Sequence, residues 1–294
     1  ESVMGQSCNS RLLLLSAIAA PARGLAVAAS PAGAWWPAAG ADTGAAPGLG
    51  AGRAAAVPAA SRDGWEEGSY SAAIVACADS GDWESACSLL REMDGAGFRI
   101  QGRPLTAALR ATAAAGEWGA AMSLRRTAQE RGVALSRAGY AHLIGLAVDS
   151  GRDDDAARLY AAAAGERKFS HWRDDEPLTL DLHDMSTAVA ATAVRHALSH
   201  EVGNYLHADL RIVTGSGKHS PGAAPRLLPR IEALLSDELS PPLPFCHDWS
   251  VRCDASGCTT TTNRGCLVVR LHDLFRWLSA TRPFASYVVT IPPA

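Results

Sequence analysis

Residues 63–172 carry an apolar pattern that recurs every 35 positions. Leu89, Leu124 and Leu159 share one register position, Ala86, Ala121 and Ala156 a second, and Tyr70, Leu105 and Tyr140 a third. Gly81-Asp82-Trp83, Gly116-Glu117-Trp118 and Gly151-Arg152-Asp153 keep the same step, and Gly97 recurs as Gly132. In the first unit Ile74 and Ala78 stand at i, i+4 and predict a helix over 71–78, ended by Gly81 as a left-handed cap. Ala86, Leu89, Leu90 and Met93 form a stripe that predicts a second helix over 83–93. Trp83 and Trp118, at equivalent positions, are expected to pack between the helix hairpins. One hairpin cannot bury its own apolar face, so the three units are expected to stack into an α-solenoid.

After Pro177 the period changes from helical to alternating. Leu178 to Leu182 alternates as a strand, and 186–199 carries Val189, Ala193 and Ala197 behind Ser186, a candidate N-cap. Residues 209–214 read as a second strand, 226–239 as a helix, 266–269 as a third strand and 271–278 as a short helix. The stretch 240–262 reads as an irregular insertion. The expected fold is therefore α + α/β: an α-solenoid of helix-hairpin repeats over 63–172, then a two-layer α/β sandwich over 178–280 and a tail over 281–294.

Composition separates residues 1–62 from the rest, since 33 of these 62 positions are Ala, Gly or Pro and only Glu1 and Asp42 are acidic. Such a stretch has too few branched and aromatic side chains to offset the entropy of ordering, and disorder is expected. Arg11, Arg23, Arg53 and Arg62 with scattered Ser resemble an organelle transit peptide, for a chloroplast ahead of a mitochondrion. A signal-peptide core over 12–20 and a linker without any address are the alternatives, the last leaving the protein in the cytoplasm. A net charge of −3 over 294 residues argues against a polycationic nucleic-acid coat but not against a local basic site. The seven Cys, odd in number and scattered, do not form a disulfide framework. Cys246, His247, Cys253, Cys258 and Cys266 contain no Cys-x-x-Cys knuckle, so no metal site is assigned. No run approaches the ~20 apolar residues of a membrane span, and no membrane partner is expected.

Two polar clusters sit at the ends of predicted strands: Leu180-Asp181-Leu182-His183, and Thr214-Gly215-Ser216-Gly217-Lys218-His219-Ser220. Loops leaving the carboxyl ends of neighbouring parallel strands converge on one edge of a sheet. Side chains alternate along a strand, so Asp181 and His183 project from the same face. Gly215-Ser216-Gly217-Lys218 can present successive backbone N–H groups to a phosphate, with Lys218 as counter-charge. This is not a Walker loop, because Ile212 stands where the upstream glycine is required and His219 fills the Ser/Thr slot. Phosphodiester chemistry needs a base, an acid and positive charge on the phosphoryl group. Imidazole suits proton transfer near neutral pH, which nominates His183 and His219, with Asp181 orienting a His and Lys218 stabilising charge.

These residues carry two resemblances. Asp181-Leu182-His183 at a first strand, then a helix, then Thr214 to Ser220 after a second strand, resembles the Smr (small MutS-related) domain. Asn263-Arg264-Gly265 before Cys266 resembles the Asn-x-Gly that precedes that domain's late strand. The likeness covers about 178–278, with Asp184 standing where the family usually has Gly and 240–262 longer than the family needs. It implies a candidate RNA endonuclease with Asp181, His183 and His219 catalytic. Thr214, Gly215, Ser216, Gly217, Lys218, Ser220, Asn263 and Gly265 would surround the phosphate. No cofactor is demanded, and a divalent metal such as Mg²⁺ is compatible.

The 35-residue step with Tyr opening the first helix and Gly-x-Trp between helices resembles the pentatricopeptide repeat, in which each repeat reads one RNA base. Carried across, the base-facing pairs are Ser71 with Gln101, Thr106 with Ser136, and Ala141 with His171. Only Thr106–Ser136 is a usable combination, since Ala141 has no hydrogen-bonding group. Residues 63–172 hold 15 acidic and 12 basic side chains, so Arg125, Arg126 and Arg131 form only a partial basic patch. The expected partner is RNA, single-stranded on the repeats and held by its backbone phosphate on the C-terminal domain. The alternative is a non-catalytic adaptor whose solenoid binds protein.

Overall fold

The computed structural model describes residues 64–174, 176, 178–204, 206–215, 225–254 and 257–282, which all fall within one compact unit. The segment read over 1–62 and residues 283–294 of the tail lie outside the described residues. The 35-residue register becomes three helix hairpins: α1 (Glu67–Asp79) with α2 (Trp83–Gly95), α3 (Gly102–Ala114) with α4 (Trp118–Glu130), and α5 (Arg137–Asp149) with α6 (Asp153–Gly165). The first helix of each hairpin packs on the next, α1 on α3 and α3 on α5, so a layer runs through all the repeats. α1 starts four residues before the expected 71, because its first turn, Glu67-Gly68-Ser69, is polar and carries no apolar period.

Ala86, Ala121 and Ala156 are at most 1 % exposed, which lets the paired helices approach closely, and Leu89, Leu124 and Leu159 are buried beside them. Each such leucine contributes roughly 1.5–3 kcal/mol. Gly81, Gly116 and Gly151 take φ near +70° and close the first helix of each hairpin. The next residue's N–H then reaches back to Cys77, Thr112 or Ala147. The second helices end in the same way at Gly97 and Gly132, but the third unit puts Arg167 there, at φ +55°. The repeat imposes this turn even where the side chain opposes it, at a cost of about 1–2 kcal/mol. Trp83 and Trp118 are not fully enclosed, although Trp118 meets the next hairpin through Arg152. As first residues of their helices they are half-buried, and the Arg152 guanidinium lies 5.2 Å from the Trp118 ring.

The C-terminal part holds a mixed sheet in the order β1-β2-β4-β3. Its strands are β1 (Thr179–Asp181), β2 (Leu210–Val213), β3 (Cys246–Asp254) and β4 (Gly257–Val269). β1 and β2 are parallel, while β2–β4 and β3–β4 are antiparallel. The stretch 240–262 is therefore largely an ordered hairpin, and 266–269 is only the end of its second strand. The β-branched run Thr259 to Thr262 was the available signal, masked by the polar character of both strands. Leu180, Leu210, Ile212, Leu267 and Val269 are fully buried. So are the inward residues of α8 (Leu227–Ala233) and α9 (Leu271–Thr281), such as Ile231, Leu274 and Leu278. α8 stops short of the expected 239 and passes into a wide turn over Leu234–Glu238.

Helix α7 (Thr187–His196), capped by Ser186 and continued by a wide turn to Glu201, packs on α5 and α6 as well as on α8. Every residue from Val189 to Val194 is buried. Beside it, the Tyr160 hydroxyl and His171 Nδ1 are 2.6 Å apart. Glu201 Oε2 receives His171 Nε2 and Trp172 Nε1, each at 2.8 Å. Burial pushes the Glu201 carboxyl up, but these hydrogen bonds outweigh it and hold it below its ordinary value. His196 is pushed down, chiefly by burial, although its Nε2 stands 3.6 Å from Glu201 Oε1.

A carboxyl held low in the folded state contributes stability that is fully present above its unfolded value near 4.5 and is lost as pH falls through the folded one. Glu201→Gln should lower stability at pH 7 by about 1–2 kcal/mol, discounted for partial solvent exposure. It should also flatten the acid limb of the stability curve. Chemical denaturation of both proteins between pH 3.5 and 7 checks this, and parallel acid limbs would remove Glu201 from the network.

Candidate functional site

β1 ends at Asp181, but pairing continues for one residue because the Leu182 N–H donates to Val213 O at 2.8 Å. Leu182 is fully buried and fixes the chain here, so Asp181 and His183 face the same way. His183 Nδ1 lies 2.5 Å from Asp181 Oδ1, and the His183 backbone N–H reaches the same oxygen at 3.3 Å. The second oxygen, Oδ2, accepts from Arg173 Nε at 3.0 Å. Burial raises the Asp181 carboxyl, but the His183 and Arg173 hydrogen bonds outweigh it and hold it below the ordinary carboxylate value. Asp181 is thus an ionised, saturated carboxylate, and His183 beside it is exposed to solvent. The other ring nitrogen, Nε2, stands 3.2 Å from Asp184 Oδ2.

The end of β2 meets this pair. The Thr214 N–H donates to Gly265 O at 2.8 Å, the Gly215 N–H to the same oxygen at 3.2 Å, and the Thr214 hydroxyl to it at 3.3 Å. Thr214 is buried, so its hydroxyl joins β2 to β4 and is not turned to a phosphate. Gly215 has φ +77°, and a Cβ there would lie 3.2 Å from the Cβ of His183. This glycine lets the end of β2 pass directly against the Cβ of His183. Asn263 lies in β4 opposite Asp248. Ser216, Gly217, Lys218, His219 and Ser220 lie outside the described residues. The described fold brings Asp181, His183, Thr214, Gly215 and Gly265 together.

Two arginines joined to this site carried no sequence signal. Arg173 opens the charged run 173–176 just before Pro177, and its contact depends on the chain folding back onto β1. Arg137, the first residue of α5, donates to the Asp184 carbonyl at 3.2 Å, a contact across 47 positions of sequence.

On the repeats, Ser71 and Gln101 line a cleft of about 440 Å³ with Glu67 and Arg103. Thr106 and Ser136 line a second cleft of about 370 Å³ with Arg103 and Arg110. The Thr106 and Ser136 hydroxyls are 2.9 Å apart, while Ser136 also accepts from the Gly139 N–H and Thr106 donates to Gly102 O. The third pair does not form. His171 is 4 % exposed and committed to Tyr160 and Glu201, so the base-facing role expected of it is withdrawn, and Ala141 is half-buried. The partial basic patch is weaker than its composition, because Arg131 is paired with Asp94 at 2.7 Å.

Among the described residues no cluster of His, Cys, Asp and Glu is arranged to hold a metal ion. No described helix is long and apolar enough to cross a membrane. Comparison with protein-family models and with curated proteins finds no match to this chain.

The contact between Gly215 and His183 is testable. Gly215→Ala adds a Cβ at positive φ and at 3.2 Å from His183, so it should destabilise by about 1–2 kcal/mol. It should also displace the His183 ring, seen as a shift of its imidazole signals in NMR. Unchanged signals would mean that the loop yields and the contact is loose.

Proposed function

We propose that this chain is an RNA-binding protein of the pentatricopeptide type whose C-terminal module is an Smr-type RNA endonuclease. The observation that carries the reading is the 2.5 Å contact between His183 Nδ1 and Asp181 Oδ1 at the end of β1, with Gly215 closed against it from the end of β2. A carboxylate that holds Nδ1–H leaves Nε2 as the basic nitrogen and stabilises the imidazolium formed when that nitrogen takes a proton. Nε2 would accept the proton of the attacking hydroxyl or water at the phosphodiester. Lys218 would offset charge on the phosphoryl oxygens, and His219 would protonate the leaving oxygen. The arrangement asks for no cofactor, and Mg²⁺ at the phosphate is compatible with it.

The repeats would bind single-stranded RNA along the face that carries the two clefts. Ser71–Gln101 and Thr106–Ser136 border one cleft each, and Arg103 borders both. Two such positions supply little sequence discrimination, so affinity would come mainly from backbone contacts. The acid-poor, Arg-bearing segment 1–62 supports an organellar address.

A second reading has its own observation. Asp184 Oδ2 stands 3.2 Å from His183 Nε2, occupying the nitrogen that would act as base and adding negative charge where an anion must approach. In that reading the module docks RNA or protein without cutting.

Two substitutions separate these readings on a labelled RNA in one preparation. His183→Ala should lower cleavage by ~10²–10⁴-fold while leaving RNA affinity within a few-fold, since it removes proton transfer and not the binding face. Asp184→Gly should raise cleavage by freeing Nε2 and removing a repulsive charge. Equal cleavage by wild type and His183→Ala would move the chemistry elsewhere. No cleavage by wild type or Asp184→Gly would leave a binding module.

A further inference from the structure

The segment that leaves the helical array does more than connect it to the sheet. Trp172 forms an antiparallel bridge to Leu180. On either side of that bridge the Arg173 N–H donates to Thr179 O at 3.0 Å and the Asp181 N–H donates to His171 O at 2.7 Å. Residues 171–173 thus lie along the flank of β1 that β2 leaves open. Leu178, buried and at φ +46°, turns the chain back to make this possible. A left-handed leucine costs about 1–2 kcal/mol, so the surrounding contacts hold the turn against its own preference.

This turn delivers Arg173 to Asp181. The guanidinium spans two carboxylates, with Nε on Asp181 Oδ2 at 3.0 Å and Nη1 on Glu176 Oε1 at 3.2 Å. The Asp181 side chain is only 17 % exposed, so the bond is less screened than a surface pair. A carboxylate has two equivalent oxygens and a nearly free rotation about its last bond. With Oδ2 tied to a planar fork, Oδ1 alone remains to hold His183, and the ring takes one orientation.

We propose that Arg173 is a positioning residue for the Asp181–His183 pair, so that the segment leaving the repeats completes the site on the neighbouring sheet. This rests on the reading of that pair as the proton-transfer group for RNA cleavage. Arg173 acts through Asp181 and not on the substrate. The site therefore belongs to the repeats and the sheet together, because the residue fixing its carboxylate is held by backbone bonds that begin at His171.

The test compares full-chain Arg173→Ala, Arg173→Lys, Asp181→Asn and the Arg173→Ala/Asp181→Asn double variant. Single-turnover cleavage, RNA affinity against salt, and the His183 ring-nitrogen signals in NMR are read for each, with His183→Gln fixing the assignment. Arg173→Ala should lower the cleavage rate by ~10–100-fold, with affinity within two-fold and an unchanged salt slope. Arg173→Lys, which keeps the charge but not the fork, should recover part of the loss. In the Asp181→Asn background, removing Arg173 should change little more. A lower salt slope with the cleavage rate retained would make Arg173 a phosphate contact and overturn the proposal, as would additive losses in the double variant. If wild type cleaves no RNA, the catalytic reading fails and the ring-nitrogen signals alone decide the positioning role. A shift with Arg173→Ala that is lost in the Asp181→Asn background upholds it, and no shift overturns it.

Discussion

From Val189 to Val194 every side chain of α7 is buried, and this one helix meets α5 and α6 as well as α8. An ordinary surface helix keeps one polar face in water. α7 does not, and its small residues, Ala190, Ala191 and Ala193, let its neighbours approach closely. The helical array and the sheet are therefore not beads on a linker, because they share a core element. The polar network of Tyr160, His171, Trp172 and Glu201 closes the same junction with directional bonds. The apolar contact supplies adhesion, and the network restricts the angle at which adhesion occurs. The candidate site depends on this junction, since residues 171–173 are laid along β1 immediately after it.

The repeats were legible because three copies superpose their signals. A single unit offers an ambiguous stripe, whereas three registers at one step place the helices, the glycine caps and the buried Ala and Leu positions together. What the period could not give was the first turn of α1, whose residues are polar and need only a helical backbone. It also could not give the burial of Trp83 and Trp118, because an aromatic at the start of a helix has no i−4 neighbour to define its face. In the sheet, β1 and β2 were visible as buried alternation. The β3–β4 hairpin was not, since its strands carry few large apolar residues and their pairing lies in backbone bonds that leave no mark on composition.

The site divides in the same way. Asp181 and His183 are neighbours in sequence, so period two was enough to aim them together. Gly215 was visible as part of a motif, yet what it leaves room for, the Cβ of His183 across the sheet edge, was not. Thr214 shows the opposite case, a motif residue spent on joining strands. Arg173 and Arg137 could not be found by any local rule, because each contact is made by tertiary folding. His171 looked like the closing residue of a base-reading pair, but the end of the array is where the sheet begins, and the junction takes the imidazole for itself. Asp184 matters most for chemistry. Its Oδ2 stands 3.2 Å from His183 Nε2, at the nitrogen that the catalytic reading assigns as the base.

The most direct measurement for the account as a whole is the affinity of the full chain for a labelled single-stranded RNA across about 50–200 mM salt. The account predicts binding whose log affinity falls linearly with log salt, by about 0.7 for each phosphate contacted. Binding that does not respond to salt, or none at the lowest salt, would contradict it and turn the clefts of the repeats and the Asp181–His183 edge toward a protein partner.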